Sequence, residues 1–117
     1  MAKEFTGTLI LIAEILRADI DGTLVRSRLR NQADFYSLVG AIHALQESRK
    51  LPDVETVASR LKSFIATVDD PALREKFSPA AAYYAASRSA SNDQGPRQTR
   101  INMISGAISG ELPHSEV

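Results

Sequence analysis

Residues 83–108, YYAASRSASNDQGPRQTRINMISGAI, predict a helix of small residues, a sharp polar break at residues 92–96 and a second amphipathic helix. The break combines asparagine, aspartate, glycine and proline, which favour turns for different steric and hydrogen-bonding reasons. Three arginines surround it: Arg88, Arg97 and Arg100. We therefore expect two helices joined by a short polar link at this end of the chain.

The rest of the chain repeats the helical spacing of apolar residues. Helices are predicted at residues 5–18, 33–49, 53–68 and 80–90, with a short helix after residue 70. The expected N-terminal caps are Thr6 or Thr8 for the first helix, Asn31 for the second and residues 69–71 for the short one. Residues 23–30 fit either a strand or a helical turn, and we expect a short extended or irregular arm there. Gly110 is expected to end the last helix.

These patterns predict an all-α fold, a single-domain bundle of five or six helices. No alternation of apolar and polar residues is long enough to indicate a sheet. The helical domain is expected at residues 1–110, followed by a flexible C-terminal tail at residues 111–117. The predicted core consists of Leu9, Ile12, Leu16, Phe35, Leu38, Ile42, Leu45, Val57, Leu61, Phe64, Ile101 and Ile104.

Composition excludes several classes of function. The 117 residues fit one domain, and 14 basic residues balance 14 acidic ones, so no global field attracts nucleic acid or an anionic membrane. The absence of cysteine removes disulfides, thiolate zinc sites and thiol nucleophiles. No apolar run approaches the roughly 20 residues that span a bilayer, and the first residues, MAKEFTGT, do not resemble a signal peptide. We expect a soluble cytoplasmic protein.

One short motif points to catalysis. Residues 19–25, DIDGTLV, resemble the DxDGT signature of the haloacid-dehalogenase phosphotransferases. The resemblance implies a phosphatase with Asp19 as nucleophile, Asp21 as acid/base and magnesium as cofactor. It also predicts a parallel sheet, whereas the preceding residues, LILIAEILRA, have helical periodicity. A small magnesium-dependent phosphatase is thus the alternative to a non-catalytic protein.

Two groups of arginines offer a local positive patch on this neutral chain. They are Arg26, Arg28 and Arg30 in the first group, and Arg88, Arg97 and Arg100 in the second. If folding brings the groups together, their guanidinium groups can contact nucleic acid or a protein partner. Alternatively, Arg97 and Arg100 pair with Asp93 and nearby carboxylates and fix the loop. No interleaved aromatic residues indicate stacking of single strands, because Tyr83 and Tyr84 lie on a small-residue helix.

Two segments together resemble a known family. They are NQADFYSL at residues 31–38 and the pattern YYx3Rx3NDx3Rx2RI at residues 83–101. Across residues 24–109 the chain resembles the helical region that follows the nuclease-like domain of GmrSD-type and ParB-like restriction (phage-defence) proteins. The resemblance implies that Asn31, Asp34, Asn92 and Asp93 structure loops and that Arg88, Arg97 and Arg100 are structural or contact residues. The family's Asp-Gly-Gln-Gln-Arg and HNH nuclease motifs are absent.

The expected function is accordingly a non-catalytic helical module, linked to phage restriction, that binds a protein partner or nucleic acid through its arginines. No catalytic residue, metal ligand or cofactor is assigned. We expect the module to bind a protein partner or to belong to a larger parent protein. A structural assembly adaptor is a further alternative for its function.

Overall fold

A computed structural model of the protein describes residues 2–88 and 94–110, and these residues form an all-α fold, as the sequence predicts. No strand occurs among them. The helices are α1 (Ala2–Ala18), α2 (Gln32–Ser48), α3 (Val54–Asp69), α4 (Pro71–Lys76), α5 (Ser78–Ser87) and α6 (Gln94–Ser109), with a 3-10 helix at Arg28–Arg30. Asn92, Asp93 and the predicted tail at residues 111–117 lie outside the described residues.

The first helix begins earlier than its sequence pattern predicts. It starts at Ala2, so Thr6 and Thr8 both lie inside α1 and the prediction that one of them caps it is wrong. Thr8 is buried instead, and its hydroxyl donates to the side-chain oxygen of Gln46 on α2 at 2.7 Å. A threonine inside a helix can thus be buried between two helices when its hydroxyl forms a hydrogen bond with the neighbouring helix.

The segment between α1 and α2 is irregular rather than extended. Turns lead to the 3-10 helix, which Ser27 caps by accepting a hydrogen bond from the backbone of Leu29. Leu24 and Leu29 are buried and attach this segment to the core. Asn31 occupies the N-cap position of α2, as predicted, although its amide contacts the Asp34 carboxylate rather than capping a helix N–H.

Local signals at the middle helices predict their starts well. Asp53 caps α3 by accepting from the backbone of Thr56. Asp70 caps α4 in the same way, with Pro71 in the first turn, where its missing N–H has no intrahelical partner to lose. The alanine-rich helix α5 begins at Ser78, two residues before its predicted start at residue 80.

The last helix takes up part of the predicted polar break. α6 begins at Gln94, so residues 94–96 are helical rather than part of a turn. Proline tolerates this because residue 96 lies in the first helical turn, where its backbone N–H would be unbonded in any case. Gly110 follows α6 with φ +81°, which confirms it as the residue that ends the helix.

The core matches the predicted set closely. The buried members are Ile12, Leu38, Ile42, Leu45, Val57, Leu61, Phe64 and Ile104, and the partly buried members packed against them are Leu9, Leu16, Phe35 and Ile101. Ile15, Leu24 and Tyr83 are fully buried as well, although they are not in the predicted set. α6 packs against α2, α3 and α5, while α1 packs against α2 and α3.

The crossing of α2 and α6 is closest at Gly40. A Cβ atom placed on Gly40 would lie 2.8 Å from Ile101 Cδ1 and 3.1 Å from Ile101 Cγ1. Both distances are shorter than normal carbon–carbon contacts. Gly40 therefore allows α6 to approach α2 in a way that any larger residue would disturb.

We expect Gly40→Ala to lower the free energy of unfolding by about 1 kcal/mol, because overpacking at Ile101 outweighs the gain in helix propensity. Gly7→Ala is the matched control, since Gly7 lies on α1 with no neighbouring atom within 4 Å of an added Cβ. That substitution should raise the free energy of unfolding by about 0.5–1 kcal/mol. Urea denaturation measures both. Equal stabilisation by the two changes would show that the close crossing is unimportant.

Candidate anion-binding site

Arg100 is buried in the interior of the bundle. Its residue is 1% exposed, its Nε donates to Ser37 Oγ on α2 at 2.9 Å, and its Nη1 donates to the Ala86 carbonyl on α5 at 3.1 Å. A carbonyl in the last turn of a helix is a favourable partner for a cation. Since the guanidinium does not reach the surface, its burial argues against the predicted contact role of Arg100. The spacing of Arg100, Ile104 and Ile108, four residues apart, is the sequence signal that places it on the buried face of α6.

Asp34 lies in the first turn of α2, three residues before Ser37, and is also buried. Its carboxylate accepts a hydrogen bond from the Tyr83 hydroxyl at 2.5 Å, and Asn31 donates to its other oxygen at 3.4 Å. Burial of the phenol, reinforced by the neighbouring carboxylate, raises the pKa of Tyr83 far above its ordinary value. Tyr83 therefore stays neutral and acts as a hydrogen-bond donor that ties α5 to the start of α2.

Arg28 connects this buried network to the surface. Its Nη1 lies 3.8 Å from the Asp34 carboxylate, and its Nε donates to Asp69 Oδ1 at 2.8 Å. The same Nη1 donates to Ser87 Oγ at 3.3 Å. One half-buried guanidinium thus joins the 3-10 helix, the end of α3 and the end of α5. Its charge is shared between a buried carboxylate and an exposed one.

Three guanidinium groups, including that of Arg28, surround the Tyr84 ring. Arg74 lies 3.6 Å above the ring centroid, while Arg88 and Arg28 lie 5.6 Å and 5.9 Å from it. Arg88 Nη1 also donates to the Tyr84 hydroxyl at 3.0 Å. We call Arg28, Arg74, Arg88 and Tyr84 the arginine–tyrosine cluster. The hydrogen bond from Arg88, followed by the positive charges, lowers the pKa of Tyr84 below its ordinary value.

The cluster is poor in carboxylates within the part of the chain that the structure describes. Both ion pairs made by its members, with Asp34 and Asp69, belong to Arg28. Arg74 donates to the Val68 carbonyl, and Arg88 to a phenol. A guanidinium carries five N–H donors, so each arginine keeps donors that can bind an oxyanion. The arrangement is therefore suited to binding an anionic group.

The two predicted arginine groups meet only in part. Arg28 of the first group and Arg88 of the second both contact Tyr84. Arg26 donates to the Asp21 carbonyl within its own turn, and Arg30 and Arg97 are exposed. Arg74 belongs to neither predicted group, and only the packing of α4 on α5 brings it to the cluster. No pattern in the sequence indicates that contact.

The DIDGTLV segment forms a turn after a helix. Asp19 Oδ2 accepts the Leu24 backbone N–H at 2.7 Å, and Lys62 Nζ lies 3.2 Å from Asp19 and 3.0 Å from Asp21. The backbone hydrogen bond from Leu24, together with Lys62, lowers the pKa of Asp19. Gly22 has φ +68°, which the turn requires. Asp19 here caps a loop and pairs with a lysine.

This geometry gives no support to the phosphatase alternative. The described residues contain no parallel sheet, and α1 takes the place of the buried strand that the motif requires. Nor does the described part of the chain contain a group of three or more histidine, cysteine, aspartate or glutamate residues that could hold a metal ion. The side chain of Asp19 is 4% exposed, which leaves little access for a substrate.

Comparisons with protein families, with curated proteins and with solved structures give no significant match for this chain. Among the described residues, no helix combines the length and the apolar character needed to cross a bilayer.

We expect Tyr83→Phe to lower the free energy of unfolding by about 1–3 kcal/mol, because the buried Asp34 carboxylate loses its shortest hydrogen bond. Tyr84→Phe, the same change at the next residue, should alter stability by less than about 0.5 kcal/mol because its hydroxyl binds the exposed Arg88. Denaturation in urea provides the comparison. Equal effects of the two changes would contradict a structural role for the Asp34–Tyr83 pair.

The lowered pKa of Asp19 predicts how stability depends on pH. A carboxyl group with a lower pKa in the folded state stabilises it fully above the unfolded value of 3.8 and loses this effect as the pH falls through the folded value. Asp19→Asn should therefore destabilise the protein most near about pH 7, and the difference from the wild type should shrink towards about pH 2. Urea unfolding across this range measures the difference. A difference that is constant with pH would rule out an ionic contribution of Asp19.

Proposed function

We propose that this chain is a non-catalytic helical module that binds nucleic acid at the arginine–tyrosine cluster. The arginines of the cluster contact the phosphate groups of the nucleic-acid backbone. The observation that carries the proposal is the convergence of three guanidinium groups on Tyr84. They come from three separate elements: the 3-10 helix, α4 and the end of α5. Like charges repel one another, and a bound anion would offset the repulsion between these three guanidinium groups.

The protein holds the cluster in place before a partner arrives. Arg74 is fixed by the Val68 carbonyl and by the Tyr84 ring, and Arg28 by Asp69 and Ser87. Side chains that are ordered in advance lose less conformational entropy on binding. The guanidinium geometry matches phosphate oxygens, and several contacts of this kind would give measurable affinity even though the net charge of the chain is zero.

We place the module with the helical region of the restriction proteins that residues 24–109 resemble, acting in the cytoplasm as part of a larger protein or assembly. The proposal draws on the motif residues Asp34, Arg88 and Arg100. In the structure these three lie at one end of the bundle, two in the buried network and one in the cluster. A protein partner with acidic groups is the competing occupant of the same cluster.

A salt-dependent titration tests the proposal. Labelled duplex DNA, single-stranded DNA and RNA are titrated with the protein at several salt concentrations, and fluorescence anisotropy gives the affinity. We expect log affinity to fall linearly with log salt, and Arg88→Gln to reduce the slope by about 1 and weaken binding to all sequences.

Arg49→Gln is the matched control, because it removes the same charge from the opposite end of α2, about 20 Å from Asp34. Circular dichroism checks that each variant keeps its helical content. Absence of binding to all three nucleic acids at low salt would overturn the proposal and favour a protein partner. Equal loss in Arg88→Gln and Arg49→Gln would show that binding does not occur at the cluster.

A further inference from the structure

A second feature at the same end of the bundle is a groove between α2 and α6. It has a volume of about 550 Å³, which is within the usual range for ligand sites of about 300–1,000 Å³. The residues that line it are Gln32, Ala33, Tyr36, Val39 and Gly40 of α2 and Arg97, Arg100 and Ile101 of α6. The groove thus combines an aromatic ring, a side-chain amide and a cation on a mainly apolar surface.

Tyr36 is the unusual residue of this groove, because it is a large aromatic side chain that is exposed to solvent. Its residue is 56% exposed, whereas Tyr83 is fully buried and the Tyr84 ring is covered by Arg74 at 3.6 Å. Of the three tyrosines in the chain, Tyr36 is therefore the one whose ring is largely open to solvent. Its hydroxyl is in weak contact with Gln32, at 3.4 Å from the amide nitrogen. Tyrosine and arginine are both enriched among the residues that contribute most to binding at interfaces.

The charges of the groove indicate the sign of its ligand. Its lining residues include the exposed Arg97 and the buried Arg100 and no carboxylate. Arg97 is exposed, so its guanidinium can reach an anion at the mouth of the groove. A ligand that suits both parts needs a flat unsaturated ring for Tyr36 and a negative charge close to that ring. A nucleotide unit has both, and the phosphate groups of its neighbours can extend the contact to other cations.

We propose that the groove between α2 and α6 accepts an unstacked base of a single-stranded nucleic acid. The base stacks on the Tyr36 ring, the Gln32 amide faces its edge, and Arg97 binds the adjacent phosphate. Bases in a duplex are already stacked and paired, so only a single strand offers a base to such a groove. This inference rests on the proposed nucleic-acid function and deepens it by naming the form of nucleic acid that is bound.

The sequence pattern around Tyr83 and Tyr84 does not indicate stacking, and Tyr36 lies far from both along the chain. Tyr36 lies on α2 next to the partly buried Phe35, and the basic residue nearest to it in the sequence is Arg30, six positions earlier. Its neighbour Arg97 is 61 positions away along the chain, and the pairing of α2 with α6 brings the two residues to one groove. The site is thus a product of tertiary packing.

The test compares single-stranded and duplex probes on three variants of the full chain. Labelled oligodeoxythymidylate, its RNA equivalent, a mixed-sequence duplex and an acidic peptide are titrated by fluorescence anisotropy. We expect Tyr36→Ala to weaken binding of the two single strands by about 5- to 150-fold, the range measured for loss of one base–aromatic stack. Tyr36→Phe should retain the affinity, because it keeps the ring. Arg97→Gln should reduce the salt slope by about 1.

Intrinsic fluorescence supplies an independent readout. The chain contains no tryptophan, so tyrosine emission can be followed directly. Stacking of a base on Tyr36 should quench part of this emission in the wild type, and Tyr36→Phe should bind with the quenching lost. Since Tyr36 is exposed, its replacement is expected to leave the thermal unfolding transition near that of the wild type.

The outcomes separate this inference from the proposal on which it rests. If Tyr36→Ala binds single strands as the wild type does while binding still depends on salt and on Arg88, the groove proposal is overturned and the cluster proposal stands. If the acidic peptide, rather than the single strands, binds with dependence on Tyr36, the groove takes a protein ligand and the inference is overturned. Failure of all nucleic acids to bind overturns both.

Discussion

The burial of Arg100 constrains how α2, α5 and α6 can pack. A guanidinium that is removed from water must keep its charge and satisfy its donors, and Ser37 and the Ala86 carbonyl provide partners from two other helices. The Asp34–Tyr83 hydrogen bond ties α2 to α5 nearby. Apolar contacts tolerate small shifts between helices, whereas these directional bonds do not. The polar network thus fixes the orientation of three helices that are otherwise held by aliphatic side chains.

The arginine–tyrosine cluster at the surface is held in place by contacts with this buried network. Arg28 contacts the buried Asp34 on one side and Asp69 and Ser87 on the other, so a charged group of the interior also belongs to the proposed binding surface. The Tyr84 ring then positions Arg74 and Arg88. Residues that look like a solvated charge cluster in the sequence are in this way attached to the core. A partner that binds there meets a surface that needs little rearrangement.

Local sequence signals predict the helices more fully than the site. Asp53 and the Asp70–Pro71 pair mark helix starts because capping acts over three or four residues. The fate of each arginine depends on distant partners instead. The expected roles of Arg100 are contact with a partner or clamping of the loop, although its spacing from Ile104 and Ile108 marks a buried face. Arg74 enters the cluster only through packing of α4 on α5. Tyr36 and Arg97 likewise share a groove only once α2 and α6 are paired.

The buried polar pairs also restrict how this sequence can change over time. Replacement of Tyr83 alone leaves the Asp34 carboxylate without its closest donor. Replacement of Asp34 alone leaves the buried phenol without its acceptor and leaves Arg28 with the exposed Asp69 as its described carboxylate partner. Each intermediate is less stable than either the complete network or an apolar replacement of all its members. Related sequences should therefore vary at positions 28, 34 and 83 jointly, and an isolated change at one of them should be rare. Covariation at these three positions would mark chains that share this arrangement of helices even where overall identity is low.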